Sequence, residues 1–175
     1  MAVRESLLGI LTLGPAYGLQ LHYELSSRAP HRAKTNVGQI YATLERLHKA
    51  GLVTPAGTNA EGLPLWRLTD VGASDAALWL RGDDGDELPE WSDVLDVVLI
   101  SRSVNASASV VLVKHLLTLA GNQPTPTGNA LADSATVQYR AALASWLQEA
   151  AAATTDETGY QLSRPKRGRP ARSKG

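Results

Sequence analysis

The chain has 175 residues, 43% of them apolar, which is enough for one buried core or for a small domain with further helices attached. It contains no cysteine, so disulfides, thiolate metal sites and cysteine nucleophiles are excluded. Cations and anions both number 17, yet they are sorted along the chain: residues 1–54 hold six Lys/Arg against three Asp/Glu, 55–100 hold two against ten, and 164–175 hold six against none. Two basic ends around an acidic middle point to a polyanionic partner, because the local field rather than the net charge steers binding.

The opening residues lack a basic segment ahead of a long apolar core, and Gly14 and Pro15 interrupt them early. The expectation is therefore no signal peptide, no membrane span and a cytoplasmic, nucleoid-associated location. Residues 4–13 place Leu7, Leu8 and Leu11 on one helical face, "GPAYG" breaks the pattern, and "LQLHYELSSRA" resumes it, which predicts helix, turn, helix. After the polar link "PHRAKT", Asn36 opens a third helix, with Gln39 three residues on in a capping-box arrangement. In that helix Val37, Ile40, Tyr41, Leu44 and Leu47 share one side at a period of 3.6, while Gly38, Gln39, Ala42, Arg46 and Lys49 occupy the other.

"GLVTPA" and "LPLWRLT" are β-prone runs around the turn-rich "GTNAEG", which predicts a hairpin, and Thr69 is placed to cap a fourth helix. Three helices and then a hairpin is the order of a winged helix-turn-helix. The acidic stretch "GDDGDELPEWSD" reads as a joint, and beyond it "VLDVVLISRSV", "ASASVVLVKHLLTLAG" and the Ala-rich run from Ala130 read as three helices, although "VVLV" alone would permit a strand. The last helix is expected to pack through Ala135, Tyr139, Ala142, Trp146 and Ala150. The fold class expected is mainly α: an N-terminal winged helix-turn-helix with a small β-hairpin (1–82), an acidic hinge (83–90), a helical dimerisation domain (91–153) and a flexible basic tail (154–175). Three helices make a thin core by themselves, so a homodimer is expected.

The segments "LLGILTLGPAYGLQLHYEL", "NVGQIYATLERLHKAGLV" and "LWRLTDVG", in that order, resemble the PadR-like transcriptional regulators over residues 4–80. The resemblance implies a dimeric bacterial repressor that reads DNA with its winged helix-turn-helix, dimerises through C-terminal helices and is released by a small aromatic or drug-like effector. Two features depart from the family pattern. Ala42 stands where the family usually has Pro, and the wing carries Glu61 at its tip with only Arg67 near its end, so this wing should grip phosphate poorly.

A reading helix needs short outward residues for approach to the major groove and a few polar ones for pairing. Gly38 and Ala42 supply the approach. Gln39 can pair bidentately with adenine, Ala42 can meet a thymine methyl, and Arg46 and Lys49 suit guanine or phosphate. Asn36 can cap the helix and face phosphate. The competing reading is a plain solvated helix face. By resemblance Tyr17 and Tyr41 touch phosphate, against which stands ordinary packing with an exposed hydroxyl. Lys34 and Arg67 are candidates for the DNA backbone, although the charges of His31, Arg32 and Lys34 are also explained as loop solvation.

In the tail, Arg167-Gly168-Arg169-Pro170 resembles an AT-hook core, in which Gly lets the backbone settle in the minor groove while Arg side chains follow its negative potential. Arg164, Lys166, Arg172 and Lys174 add sequence-blind phosphate attraction, and a merely solvated basic tail is the alternative. "TTDETGYQL" reads as a flexible tether for it. Trp91, Trp79 and Trp146 are candidates to line an aromatic effector pocket, each equally readable as a core or interface anchor. His22, His31, His48 and His115 lack metal-ligand spacing, and no Gly-rich phosphate loop or nucleophile elbow occurs, so no metal, no cofactor and no enzymatic activity are expected. The partners expected are double-stranded DNA, a second copy of the chain and a small aromatic effector, with no membrane. A nucleoid-associated architectural protein and a winged-helix protein-interaction adaptor are the alternative functions.

Overall fold

A computed structural model describes residues 2–83, 87–154 and 157–161. The described elements are helices α1 (Ala2–Leu11) and α2 (Gly18–Arg28), a 3-10 turn (Pro30–Arg32), α3 (Val37–Lys49), strands β1 (Val53–Thr58) and β2 (Pro64–Leu68), then α4 (Asp70–Arg81), α5 (Trp91–Val104), α6 (Ala106–Gly121) and α7 (Ala130–Ala152). The architecture is mainly helical with one two-stranded antiparallel hairpin, the winged helix order expected from the sequence. The "VVLV" run is helical within α6, with Leu112 and Val113 buried and Val110 and Val111 exposed.

Local chemistry sets both ends of α3. At its start Asn36 is extended and its Oδ1 accepts from the Gln39 N–H at 2.8 Å. At its end Gly51 adopts φ 72, its N–H donates to His48 O, and the Leu52 N–H donates to Leu47 O. This is the paired closing of a Schellman motif, and the left-handed residue it requires favours glycine. The chain therefore leaves α3 directly into β1, where Val53 faces Leu68 and Pro55 faces Trp66 before the register shifts. The wing tip is held by Asn59, whose Oδ1 accepts from the N–H groups of Glu61 and Leu63. Thr69 accepts from the Gly72 N–H and donates to Gly51 O, so the cap of α4 is also tied to the end of α3.

Two apolar clusters form the interior. The first gathers Leu7, Leu8, Ile10 and Leu11 of α1 with Leu21, Leu25, Ile40, Leu44, Leu47, Ala76 and Leu80, and takes in Ile100 of α5 and Ala108 of α6. The second joins Val94, Val97 and Val98 of α5, Leu112, Val113 and Leu116 of α6, and Leu143 and Leu147 of α7. Trp79 packs against both.

Three details differ from the sequence reading. The packed stripe of α3 is Ile40, Thr43, Leu44 and Leu47, while Tyr41 is 42% exposed, because 100° per residue swings position 41 to the flank of the stripe. In α7 the interior positions are Leu143 and Leu147, with Tyr139, Trp146 and Ala150 partly buried, and Ala135 and Ala142 face solvent. Burying leucines removes more apolar area from water than burying alanines, and this sets the rotation of the helix. Residues 157–161 are not a flexible tether: Tyr160 packs against the first core and Arg28 holds the backbone of Thr158 and Gly159. The Arg167-Gly168-Arg169-Pro170 motif lies outside the described residues.

Candidate nucleic-acid interface

The link between α2 and α3 is rigid, because its polar groups are spent on neighbouring elements. His22 Nε2 lies 2.7 Å from Thr35 O, which fixes the entry to α3. Asp96, fully buried on α5, receives three hydrogen bonds from Arg32, with Nε to Oδ1 at 3.0 Å and to Oδ2 at 3.1 Å and Nη2 to Oδ2 at 2.6 Å, and its Oδ1 lies 2.8 Å from His31 Nε2. That bidentate bond holds the Arg32 guanidinium above its usual pKa, against the opposing effect of burial. His31 and Arg32 are thus structural clamps rather than free loop charges. The signal for this clamp was the lone carboxylate inside the apolar "VLDVVLI" run, since a buried aspartate requires a partner.

On this frame Asn36, Gly38, Gln39 and Ala42 stand exposed on the first two turns of α3, with Lys49 exposed at its end. Gly38 and Ala42 leave the backbone open to close approach beside the Gln39 amide. Asn36 Oδ1 is committed to the cap. Arg46 lies back along its own helix, with Nε donating to Ala42 O at 3.2 Å and Nη2 to Thr43 Oγ1 at 3.0 Å, so it must swing outward before it can reach a base.

The candidates for the DNA backbone come from several elements. Tyr17 is the N-terminal flanking residue of α2 and makes no side-chain cap. The Tyr41 ring lies over Gly18, where an added Cβ would sit 2.5 Å from it, so the two tyrosines flank one glycine at the start of α2. Lys34 is exposed just before α3, and Arg67 is exposed on β2 opposite Thr54. The wing is braced on α3 by His48, whose ring meets Trp66 edge-on at 5.5 Å and whose Nδ1 lies 3.0 Å from Val53 O.

Of the three tryptophans, two meet directly. Trp91, 40% exposed, and Trp146 meet edge-on at 5.3 Å. Trp79 and Ile100 both close over Gly9, and Trp79 borders a small hollow of about 180 Å³ with Leu8 and Leu78. A larger cleft of about 610 Å³, which the sequence did not reveal, opens between α3 and the start of α5 and is lined by Arg4, Arg32, Gln39, Arg46, Glu90 and Asp93 among others. Its residues come from four separate stretches, so only the folded chain assembles it. Near the same end of α5, the Tyr139 hydroxyl donates to Pro89 O at 2.8 Å, and burial together with the Glu90 charge raises its pKa. Among the described residues, no helix is long and apolar enough to cross a membrane.

Residues 7–77 match the profile of the family described as Transcriptional regulator PadR-like family. Among solved structures, the chain is similar to the crystal structure of Bacillus subtilis PadR in complex with operator DNA, with 18% identity, 85% of this chain and 96% of that chain covered, and a TM-score of 0.42. No curated protein matches the chain.

Proposed function

We propose, from the premise that residues 7–77 form a PadR-like transcriptional regulator domain, that this chain is a dimeric repressor whose α3 reads the major groove. The observation that carries the reading is the sparse outer face of α3: Gly38, Gln39 and Ala42 exposed on a helix fixed at both ends by Asn36 and Gly51. A solvated face needs no such rigid frame, whereas base-edge hydrogen bonds require positions held to fractions of an ångström. Gln39 would pair with a base, Arg46 and Lys49 would meet guanine or phosphate, and Tyr17, Lys34, Tyr41 and Arg67 would set the register on the backbone.

Dimerisation is supported by large apolar side chains left in solvent on the C-terminal helices, namely Leu131, 82% exposed, and Val137 on α7, and Val110 and Val111 on α6. Two reading helices related by a twofold would face half-sites about one helical turn apart, so the operator would be an imperfect palindrome. The Trp91–Trp146 pair, partly open to solvent, supports an aromatic effector that stacks there and lowers DNA affinity. The chain divides functionally into a reading domain at 1–82, a joint at 83–90 and a dimer-forming unit at 91–153, with residues 164–175 adding attraction for the minor groove through Arg167 and Arg169.

The test is fluorescence anisotropy with DNA from upstream of the chain's own gene and a scrambled control, across a salt series. Preference for the native duplex with a steep salt dependence is the expected result. Equal binding to both duplexes would favour an architectural protein, and no binding to either would favour an adaptor. Quenching of tryptophan emission by a flat aromatic acid, with loss of DNA, would support the effector.

A further inference from the structure

Residues 157–161 form a strap across the winged helix, and bonds to other parts of the chain fix it in place. The Thr158 N–H donates to Ser103 O at 3.0 Å and Glu157 accepts from the Ala106 N–H, which ties the strap to the corner between α5 and α6. Arg28, buried on α2, donates from Nη1 to Ser103 O and Thr158 Oγ1, from Nη2 to Thr158 O and Gly159 O, and from Nε to Glu24 Oε2 at 2.9 Å. The other oxygen of the fully buried Glu24 accepts from the Gln161 N–H at 2.7 Å. Without the strap, that oxygen and several guanidinium N–H groups would lose these partners, a costly state for buried charges. The Tyr160 ring is thereby held against the first core, and its hydroxyl donates to Gly14 O at 2.6 Å, with Ile10 O at 3.2 Å.

Gly14 belongs to the turn that leads into α2. Its φ of 128 is a conformation open to glycine and to few other residues, so no side chain stiffens the turn at this point. Two fastenings take that role. Ala16 exchanges backbone bonds with Trp66 of β2, N–H to O at 3.0 Å and 2.9 Å, and Tyr160 holds Gly14 O from 146 residues away. Directly after the turn stands Tyr17, partly exposed ahead of Gly18, over which the Tyr41 ring lies. We infer that Tyr160 is a positioning residue for DNA: by fixing the turn from Gly14 to Tyr17, its hydroxyl sets where the Tyr17 phenol meets a phosphate. The inference rests on the DNA-binding reading above and adds residues 157–161 to the unit that binds. A hydroxyl bonds a phosphate oxygen only over about 2.5–3.0 Å and near a straight line, so a turn that wanders by a fraction of an ångström weakens the contact. The bond from Tyr160 removes that freedom at the residue type that has most of it to lose.

The test is a double-mutant cycle in the full chain, read by fluorescence anisotropy on duplex from upstream of the chain's own gene and on a scrambled control. Tyr160→Phe keeps the packed ring and removes only the hydroxyl. It should lower affinity for the native duplex several-fold at a temperature well below its melting point, and speed amide exchange at Gly14 and Ala16 in the absence of DNA. Tyr17→Phe should lower affinity at least as much. The double variant should bind no more weakly than Tyr17→Phe alone, because Tyr160 acts through Tyr17. Losses that multiply in the double variant would overturn the inference. So would undiminished affinity in Tyr160→Phe with only its melting temperature lowered, which is the result a purely structural bond would give. Unchanged affinity in Tyr17→Phe would overturn it too. If the unsubstituted chain binds neither duplex, the DNA-binding reading falls, and this inference with it.

Discussion

Gln39 is exposed on α3 at the edge of the cleft toward α5, with a glycine before it and a short side chain three residues after it, so its amide can approach a base edge. Removing it with Gln39→Ala should weaken binding to the specific duplex by roughly tenfold or more, as a bidentate base contact is worth about 1–3 kcal/mol. Binding to scrambled DNA should stay the same, and competition anisotropy reads both. Gly18 offers a second test. An added methyl there would come within 2.5 Å of the Tyr41 ring, which is half exposed and able to swing away. Gly18→Ala should therefore leave the melting temperature nearly unchanged while reducing DNA affinity several-fold, if the Tyr41 hydroxyl positions phosphate. The open place at Gln39 was legible in the sequence, because glycine and short residues on one face of an amphipathic helix are a local pattern, whereas the Tyr41 ring over Gly18 was not. The folded-back pose of Arg46 was not, because it depends on acceptors at Ala42 and Thr43 within the formed helix.

Among the elements, the 3-10 turn before α3 depends on α5. Asp96 is fully buried and binds Arg32 through two oxygens, so Asp96→Asn removes the nearest counter-charge of the guanidinium at the entry to α3 and leaves it only Asp93 at 3.9 Å. Breaking such a pair costs about 3 kcal/mol, a loss that chemical denaturation should record together with weakened DNA binding. The strap carries a pH dependence of its own. Burial, and next the charge of Glu24, raise the pKa of Tyr160 above its ordinary value of about 10. The neutral phenol is the form that docks, so its contribution is complete below the ordinary value and is lost as pH rises through the raised one. Amide protection in the strap should hold from about pH 6 to 9, then weaken progressively above about pH 10, while Tyr160→Phe should show no such loss. The Glu24–Arg28 ion pair spans four residues of α2, but its burial and its service to a segment 130 residues away belong to the tertiary fold.

The C-terminal helices leave apolar side chains uncovered, Leu131 and Val137 of α7 among them. On the proposed dimer, replacing both with aspartate should shift sedimentation from dimer to monomer and lower affinity for a palindromic duplex far more than for a single half-site. Ending the chain after Gln161 should lower the slope of log affinity on log salt by about 0.9 for each cation that engages phosphate, with sequence preference retained.

What this chain's sequence determined by itself was whatever depends on neighbours along the chain: the caps at Asn36 and Thr69, the break at Gly14-Pro15, the period of α3, the hairpin around Asn59 and the order of elements that makes a winged helix. Each follows from backbone hydrogen bonding and helical periodicity within a few residues. Only the tertiary structure decided the clamp of Asp96 on His31 and Arg32, the cleft between α3 and α5, the meeting of Trp91 with Trp146, and the docking of Tyr160 on the first core. Those features join residues far apart in sequence, and they exist because buried charges and apolar rings must find partners wherever the fold places them.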